Sequence, residues 1–270
     1  MYRYIKRILD DIIDVAYPDS GNRFKRYKLY LNTEEKDSYS GVYSLKDQRI
    51  EIYNMSLGAR HVAKCCLHEL SHHIDYCLHG TTGHQKPFYE AYQKLIYASL
   101  NMGILNKGDF DDFWSRDKNK VKRIVAAYKP EPVDYKLPEQ RMLKVRNCFD
   151  KKESLKQLGY RWNKLEQVWE KEVKKDTDET NKVEELGIDD YEIVTQGLYI
   201  NAVIYIEASG DTYNSKEQLK KLGFFYDKKN KKWSMKTTIK GKELERLILT
   251  LNQSSMFQQK VSFKIQGNRK

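Results

Sequence analysis

The feature that most narrows the fold is an internal repeat in the second half of the chain. KESLKQLGYRWNKLEQVW (Lys152–Trp169) aligns without a gap, at an offset of 64 residues, to KEQLKKLGFFYDKKNKKW (Lys216–Trp233). Leu155/Leu219, Leu158/Leu222, Gly159/Gly223, Lys164/Lys228 and Trp169/Trp233 are identical, and Tyr160/Phe224, Trp162/Tyr226 and Asn163/Asp227 are conservative pairs. Each copy reads as a short helix stopped by glycine, an aromatic strand, a polar turn and a strand opening on Trp. A repeated unit of this kind implies two small α+β modules.

Ahead of the repeat, three of the chain's five prolines (Pro130, Pro132, Pro138) fall within Lys129–Pro138 and mark a boundary. The division this suggests is 1–128 for a first domain, 129–140 for a Pro-rich linker, 141–175 for module 1, 176–196 for an acidic linker or exposed helix, and 197–270 for module 2 with a basic tail. In the first domain, Ile5, Ile8, Leu9, Ile12, Ile13 and Ala16 form one stripe of a helix over Tyr2–Ala16. Tyr27–Leu31 reads as a strand, and Gly41–Leu45 with Arg49–Tyr53 as a hairpin. Helices are predicted over Leu57–Cys77 and from Lys86 to about Asn101, with Pro87 in the first turn of the latter. Asp109 is a fair cap for a further helix reaching Tyr128. The whole is α+β.

All six histidines lie between His61 and His84. Random placement would scatter them, so the cluster points to metal or proton-transfer chemistry. Its centre is HELSH, His68 to His72. On a helix, residues four apart share a face, so His68 and His72 can hold one ion, with Glu69 near enough to take a proton from bound water. Neutral imidazoles suit Zn2+, and a catalytic zinc keeps three protein ligands with an open position. His79, Asp75, Glu90 and His84 are candidates around this pair. His79 does not match the metzincin spacing, Asp75 suits an acceptor for an imidazole N–H, and Glu90 lies where a thermolysin-like ligand would. His84 follows a glycine loop in the sequence HQKPF. Leu67, Leu70, Ile74 and Leu78 point elsewhere and are expected to pack the core.

HELSH followed by a loop and H-x-x-x-F resembles the SprT-like and YgjP-like zinc metallopeptidases over roughly residues 1–105. The resemblance implies a zincin-like domain, one zinc held by His68, His72 and His84, Glu69 as catalytic base, and Phe88 as an aromatic packed beneath the site. It departs from that pattern in having Gln85 directly after His84, with Gly83 ahead of it, and in lacking a C-terminal zinc ribbon. Cys65, Cys66, Cys77 and Cys148 form no C-x-x-C pair, which argues against a zinc ribbon or disulfide framework. The function expected is a zinc-dependent endopeptidase acting on a protein or peptide. The alternative is a nucleic-acid- or protein-binding factor with a structural or vestigial zinc site.

The repeated unit resembles small modules appended to phage and mobile-element proteins, a resemblance that implies no catalysis. Residues 211–270 hold 15 Lys+Arg against 5 Asp+Glu, out of a net charge of +11 for the chain. Arg161, Trp162, Lys164, Tyr226, Lys228, Lys229, Lys231 and Lys232 interleave aromatic and basic groups, a pattern that suits single-stranded nucleic acid or nucleoprotein. A protein-docking role fits the charge equally well. Trp169 and Trp233 read as core residues. No apolar run reaches the ~18 residues of a membrane span, and acidic residues interrupt the N-terminal stripe where a signal peptide would be uninterrupted. A cytoplasmic monomer with no membrane partner is the expectation.

Overall fold

The computed structural model describes residues 2–111, 117–131, 133–174, 178–195, 197, 202–228, 230–257 and 260–266. The fold is α+β, with eight α-helices and three sheets among these residues. The first unit comprises α1 (Tyr2–Ala16), β1 (Lys28–Leu31), β2 (Gly41–Ser44), β3 (Arg49–Ile52), α2 (Ala59–His79), α3 (Lys86–Asn101) and α4 (Lys118–Ala127). Its sheet runs β1-β3-β2, with β1 parallel to β3 and β2 antiparallel to it. Ile50 and Ile52 alternate along β3 and are fully buried, as is the α1 stripe from Ile5 to Ile13. This burial fixes the register, because a one-residue slip would turn both isoleucines to the other face.

Asn54 holds the loop that leads into β2. It adopts a left-handed conformation at φ 60°. Its side-chain oxygen accepts the Lys36 N–H at 2.5 Å, and its amide donates to Lys36 O and Ser40 Oγ, both at 2.9 Å. Helix α2 ends at Gly80, whose φ of 74° lets its N–H reach Tyr76 O. That turn sends the chain back towards α3.

Three expectations for this unit are corrected. The helix predicted from Asp109 begins instead at Lys118. Asp109 closes a capping box with Asn106 in a short 3-10 turn, Lys107–Phe110. Leu78, in the last turn of α2, is exposed and packs no core. The Pro-rich segment is not a free tether: Glu131 N–H and Tyr128 OH donate to Asn101 Oδ1 at 3.0 and 2.7 Å, and Tyr135 OH to Asp11 Oδ2 at 2.9 Å. Pro132 lies outside the described residues.

Module 1 comprises β4 (Arg141–Val145), α5 (Lys152–Gln157), β5 (Arg161–Asn163), β6 (Val168–Glu172), α6 (Glu179–Glu185) and β7 (Tyr191–Thr195). Module 2 repeats the order with β8 (Ile204–Gly210), α7 (Lys216–Lys221), β9 (Phe225–Asp227), β10 (Lys232–Thr237), α8 (Gly241–Gln253) and β11 (Val261–Ile265). Numbered within its module, each antiparallel sheet runs fourth, first, third, second strand. This is the split β-α-β, or ferredoxin-like, topology. Gly159 and Gly223 both take φ 84°, and the turn residues Gln167 and Lys231 take 55° and 52°. The duplication therefore extends to the backbone conformation of the turns.

Of the two readings of the acidic stretch, the structure has the helix, and it packs on module 1. The described part of the stretch forms α6 and leads into β7, Val183 and Ile188 are buried in the core of module 1, and β7 pairs with β4. Asp176 lies outside the described residues. Module 2 also gives up its independence: Ile206, Leu219, Phe224, Leu244 and Phe263 belong to one apolar core with the first unit. Helix α8 packs on the turn Met55–Leu57. Leu165, from the β5–β6 turn of module 1, joins the same core and accepts the Val203 N–H at 2.6 Å.

Candidate metal centre

Two adjacent features of the chain build the site. The α-helical repeat sets His68 and His72 on one face of α2, ring centroids 5.1 Å apart. The turn at Gly80 then returns the chain so that His84, just ahead of α3, lies with its ring 5.0 Å from each of the other two. The ligand atoms of the three rings lie within 4.8 Å of one another, and His72 Nε2 is 3.1 Å from His84 Nε2. Tetrahedral zinc with ~2.0–2.1 Å bonds sets its nitrogens about 3.3 Å apart, which the His72–His84 pair matches, and the chemistry of three imidazoles suits that ion. Phe88 is fully buried beneath the rings, 4.3 Å from His72, 4.7 Å from His84 and 5.1 Å from His68. Tyr92, one helical turn on, closes the far side of His68 at 5.4 Å.

The second nitrogens of two rings are occupied. His72 Nδ1 is 3.0 Å from Thr82 Oγ1, and His84 Nδ1 is 3.2 Å from the buried carboxylate of Asp117, leaving both Nε2 atoms turned inward. Tyr89 OH donates to the same Asp117. His68 Nδ1 is buried without a hydrogen-bond partner. Burial first, then repulsion from its neighbours, lowers the pKa of His68 to about 3, and burial with His84 lowers His72 to about 4. Both rings are therefore neutral at physiological pH, the state in which imidazole can donate a lone pair to a cation.

Glu69 is buried, and burial raises its pKa to about 8. The backbone N–H of Tyr43 on β2 opposes that rise by donating to its carboxylate. Gly41, two residues earlier on β2, is what lets the carboxylate lie there: a Cβ at that position would sit 2.6 Å from Glu69 Oε1 and 2.7 Å from its Cγ. No side chain larger than hydrogen fits without displacing the acid. β2 pairs only with β3 among the described residues.

Asp75 has a different partner from the one expected. Its carboxylate takes His79 Nδ1 at 2.9 Å, and it acts on His72 only through its charge, which opposes the lowering of that ring's pKa. That support comes from Asp117 and Thr82 instead. Glu90 is exposed and pairs with Lys86 at 3.7 Å, away from the cluster. His61 contacts Cys65 Sγ at 3.3 Å, and His73 is buried against Tyr43 OH at 3.1 Å. Asp117 carries no signal in the sequence, since only the folded path of the chain brings it to His84. Thr82 lies in a loop already adjacent to the motif, and a search for hydroxyls near it would have found it.

In the modules, Trp169 is buried and Trp233 partly so, while Trp162 and Tyr226 are exposed. Arg161, Lys164, Lys228, Lys231 and Lys232 are exposed as well. Lys232 is paired with buried Glu207 at 3.0 Å, and Lys164 lines a cleft of about 440 Å³ with Glu34, Glu35 and Lys36 of the first unit. Lys229 lies outside the described residues.

No family model matches the chain, nor does any curated protein or solved structure. No helix among the described residues is long and apolar enough to cross a membrane.

Proposed function

We propose that this chain is a metal-dependent hydrolase whose ligands are His68, His72 and His84. Within that class, the reading best supported is a zinc endopeptidase of the SprT-like kind. The observation that carries it is the convergence of three imidazoles, two of them held by partners on their outer nitrogens, with a buried acid, Glu69, next to His68 in the chain. Zinc bound there supplies Lewis-acid polarisation of a carbonyl and a water acidic enough to react near neutral pH.

The chain's own residues do the rest. Thr82 and Asp117 fix the orientation of two rings, and Phe88 and Tyr92 wall off the buried side. Glu69, seated in the space that Gly41 leaves, accepts a proton from the attacking water and returns it to the departing amine nitrogen. The outer edge of β2, beside that acid, suits an extended peptide, which would add to it by main-chain hydrogen bonds. His84 is exposed, so the centre is open on one side as a catalytic zinc requires. A structural site would have no use for a buried carboxylate next to its ligands.

The test pairs metal analysis of the purified chain with cleavage of an unfolded protein by wild type and Glu69→Gln. One equivalent of zinc in both, with cleavage in wild type only, is the expected result. Zinc in both with cleavage in neither would leave the centre structural and end the peptidase reading.

A further inference from the structure

The two modules keep aromatic side chains at matching places where neither core uses them. At the repeat offset, Phe149 coincides with Tyr213, and they are 81 % and 79 % exposed; Trp162 coincides with Tyr226 at 50 % and 46 %. None of the four belongs to an apolar core. Their surroundings repeat too. Lys152 Nζ lies 5.2 Å from the centre of the Phe149 ring, and Lys216 Nζ lies 5.6 Å from that of Tyr213. Trp162 meets Trp169 edge-on at 5.6 Å and 61°, and Tyr226 meets Trp233 at 5.6 Å and 60°.

The strand order puts each pair at one end of its sheet. Trp162 is the cross-strand neighbour of Trp169, which neighbours Val145 at the end of β4, and Phe149 follows within the next loop. In module 2, Tyr226, Trp233 and Ala208 form the same row, and Tyr213 follows the end of β8. Packing therefore accounts for Trp169 and Trp233 but not for the outer rings.

Charge separates the copies. From first to last strand, residues 141–195 of module 1 carry 12 Lys+Arg against 13 Asp+Glu, whereas residues 204–265 of module 2 carry 13 against 6. Around the module 2 rings, Lys216 adjoins Tyr213, and Lys228 and Lys231 project from the β9–β10 turn beside Tyr226. Flat aromatic faces amid lysines are the chemistry of single-stranded nucleic acid, where unpaired bases stack on rings and phosphates meet the cations. In a duplex the base faces are already covered, so rings of this kind would add nothing.

We propose that module 2 binds single-stranded nucleic acid, with Tyr213 and Tyr226 stacking on bases and Lys216, Lys228 and Lys231 meeting phosphates. Phe149 and Trp162 form a second, weaker copy on module 1, where the net positive charge is missing. The inference stands apart from the peptidase reading, because binding is measured without turnover.

The experiment uses the full-length Glu69→Gln chain and a fluorescent oligothymidylate of roughly 20 nucleotides, longer than the ~4–16 that one small fold covers. A duplex of equal length and polyglutamate serve as competitors. The oligothymidylate should bind more tightly than the duplex, with a log–log salt slope near −2, about 0.7 per phosphate for three lysines. Tyr213→Ser and Tyr226→Ser should each weaken binding roughly 5- to 100-fold; Tyr213→Ser, at a ring 79 % exposed, should leave the thermal midpoint unchanged, whereas Tyr226→Ser, which also removes the contact with Trp233, should lower it slightly. Absence of binding at about 50 mM salt overturns the proposal. Equal affinity for the duplex with no effect of either tyrosine overturns it as well. If polyglutamate binds instead and needs both tyrosines, the site is for acidic protein.

Discussion

Replacing Asp117 by Asn keeps the side chain's size and removes the charge that faces His84. The Asp117 carboxylate is buried, and its Oδ2 lies 3.2 Å from His84 Nδ1. It therefore fixes the ring's rotation and keeps the proton on Nδ1, so that Nε2 is the free donor. An Asn in the same place can still accept one hydrogen bond, but it no longer strengthens the imidazole as a base. Losing such a partner costs 10–100-fold in metal affinity, or about 1.4–2.8 kcal/mol. Competition against a chromophoric zinc chelator near pH 7.5 reads this directly. The unfolding midpoint of the metal-free chain serves as the control, because a merely structural defect would move that instead. Tyr89→Phe, which removes the hydroxyl donating to Asp117, should weaken zinc binding in the same direction by less. Wild-type zinc affinity in Asp117→Asn would refute the role given to this residue and weaken the assignment of His84 with it.

Three further outcomes follow from the geometry. Gly41→Ala should retain zinc yet lose most peptidase activity, because its Cβ would meet Glu69 Oε1 at 2.6 Å; an active Gly41→Ala enzyme would show that Glu69 works from elsewhere. In the metal-free chain Glu69 has a folded pKa near 8 against the ordinary 4.5, so the stability it confers is complete below about pH 4.5 and is lost as pH rises through 8. Glu69→Gln should therefore gain stability relative to wild type across that range, which urea unfolding at several pH values would measure. His68, His72 and His73 have the opposite sign: burial depresses them to about 3, 4 and 4. The metal-free protein should be stable above about pH 6.5 and lose stability as pH falls through 4; a flat urea midpoint from pH 7 to 4 would contradict this.

What the sequence made legible was whatever local periodicity controls. The α1 stripe, the alternation of Ile50 and Ile52, the turn at Gly80 and the helix–turn–strand unit of each module depend on nearest neighbours, and the structure has them where the pattern places them. His68, His72 and His84 come together for the same reason, since only one helix and one loop separate them. The features not legible arise from chain path. Asp117 reaches His84 across α3, Gly41 matters only because β2 lies over Glu69, and β7 completes a sheet begun at β4. Asp75 misled because it is three residues from His72 along the helix but finds a nearer imidazole at His79. The acidic stretch left linker and helix open for a compositional reason: Val183, Leu186 and Ile188 are few apolar anchors amid carboxylates, and a helix needs few of them when a formed sheet waits beneath.

The packing of α8 on the turn Met55–Leu57 ties the last third of the polypeptide to the foot of the helix that carries HELSH. A chain cut ahead of Ala202 would strip that turn of its cover, so excising the tail would undermine the catalytic scaffold as well as remove an appendage.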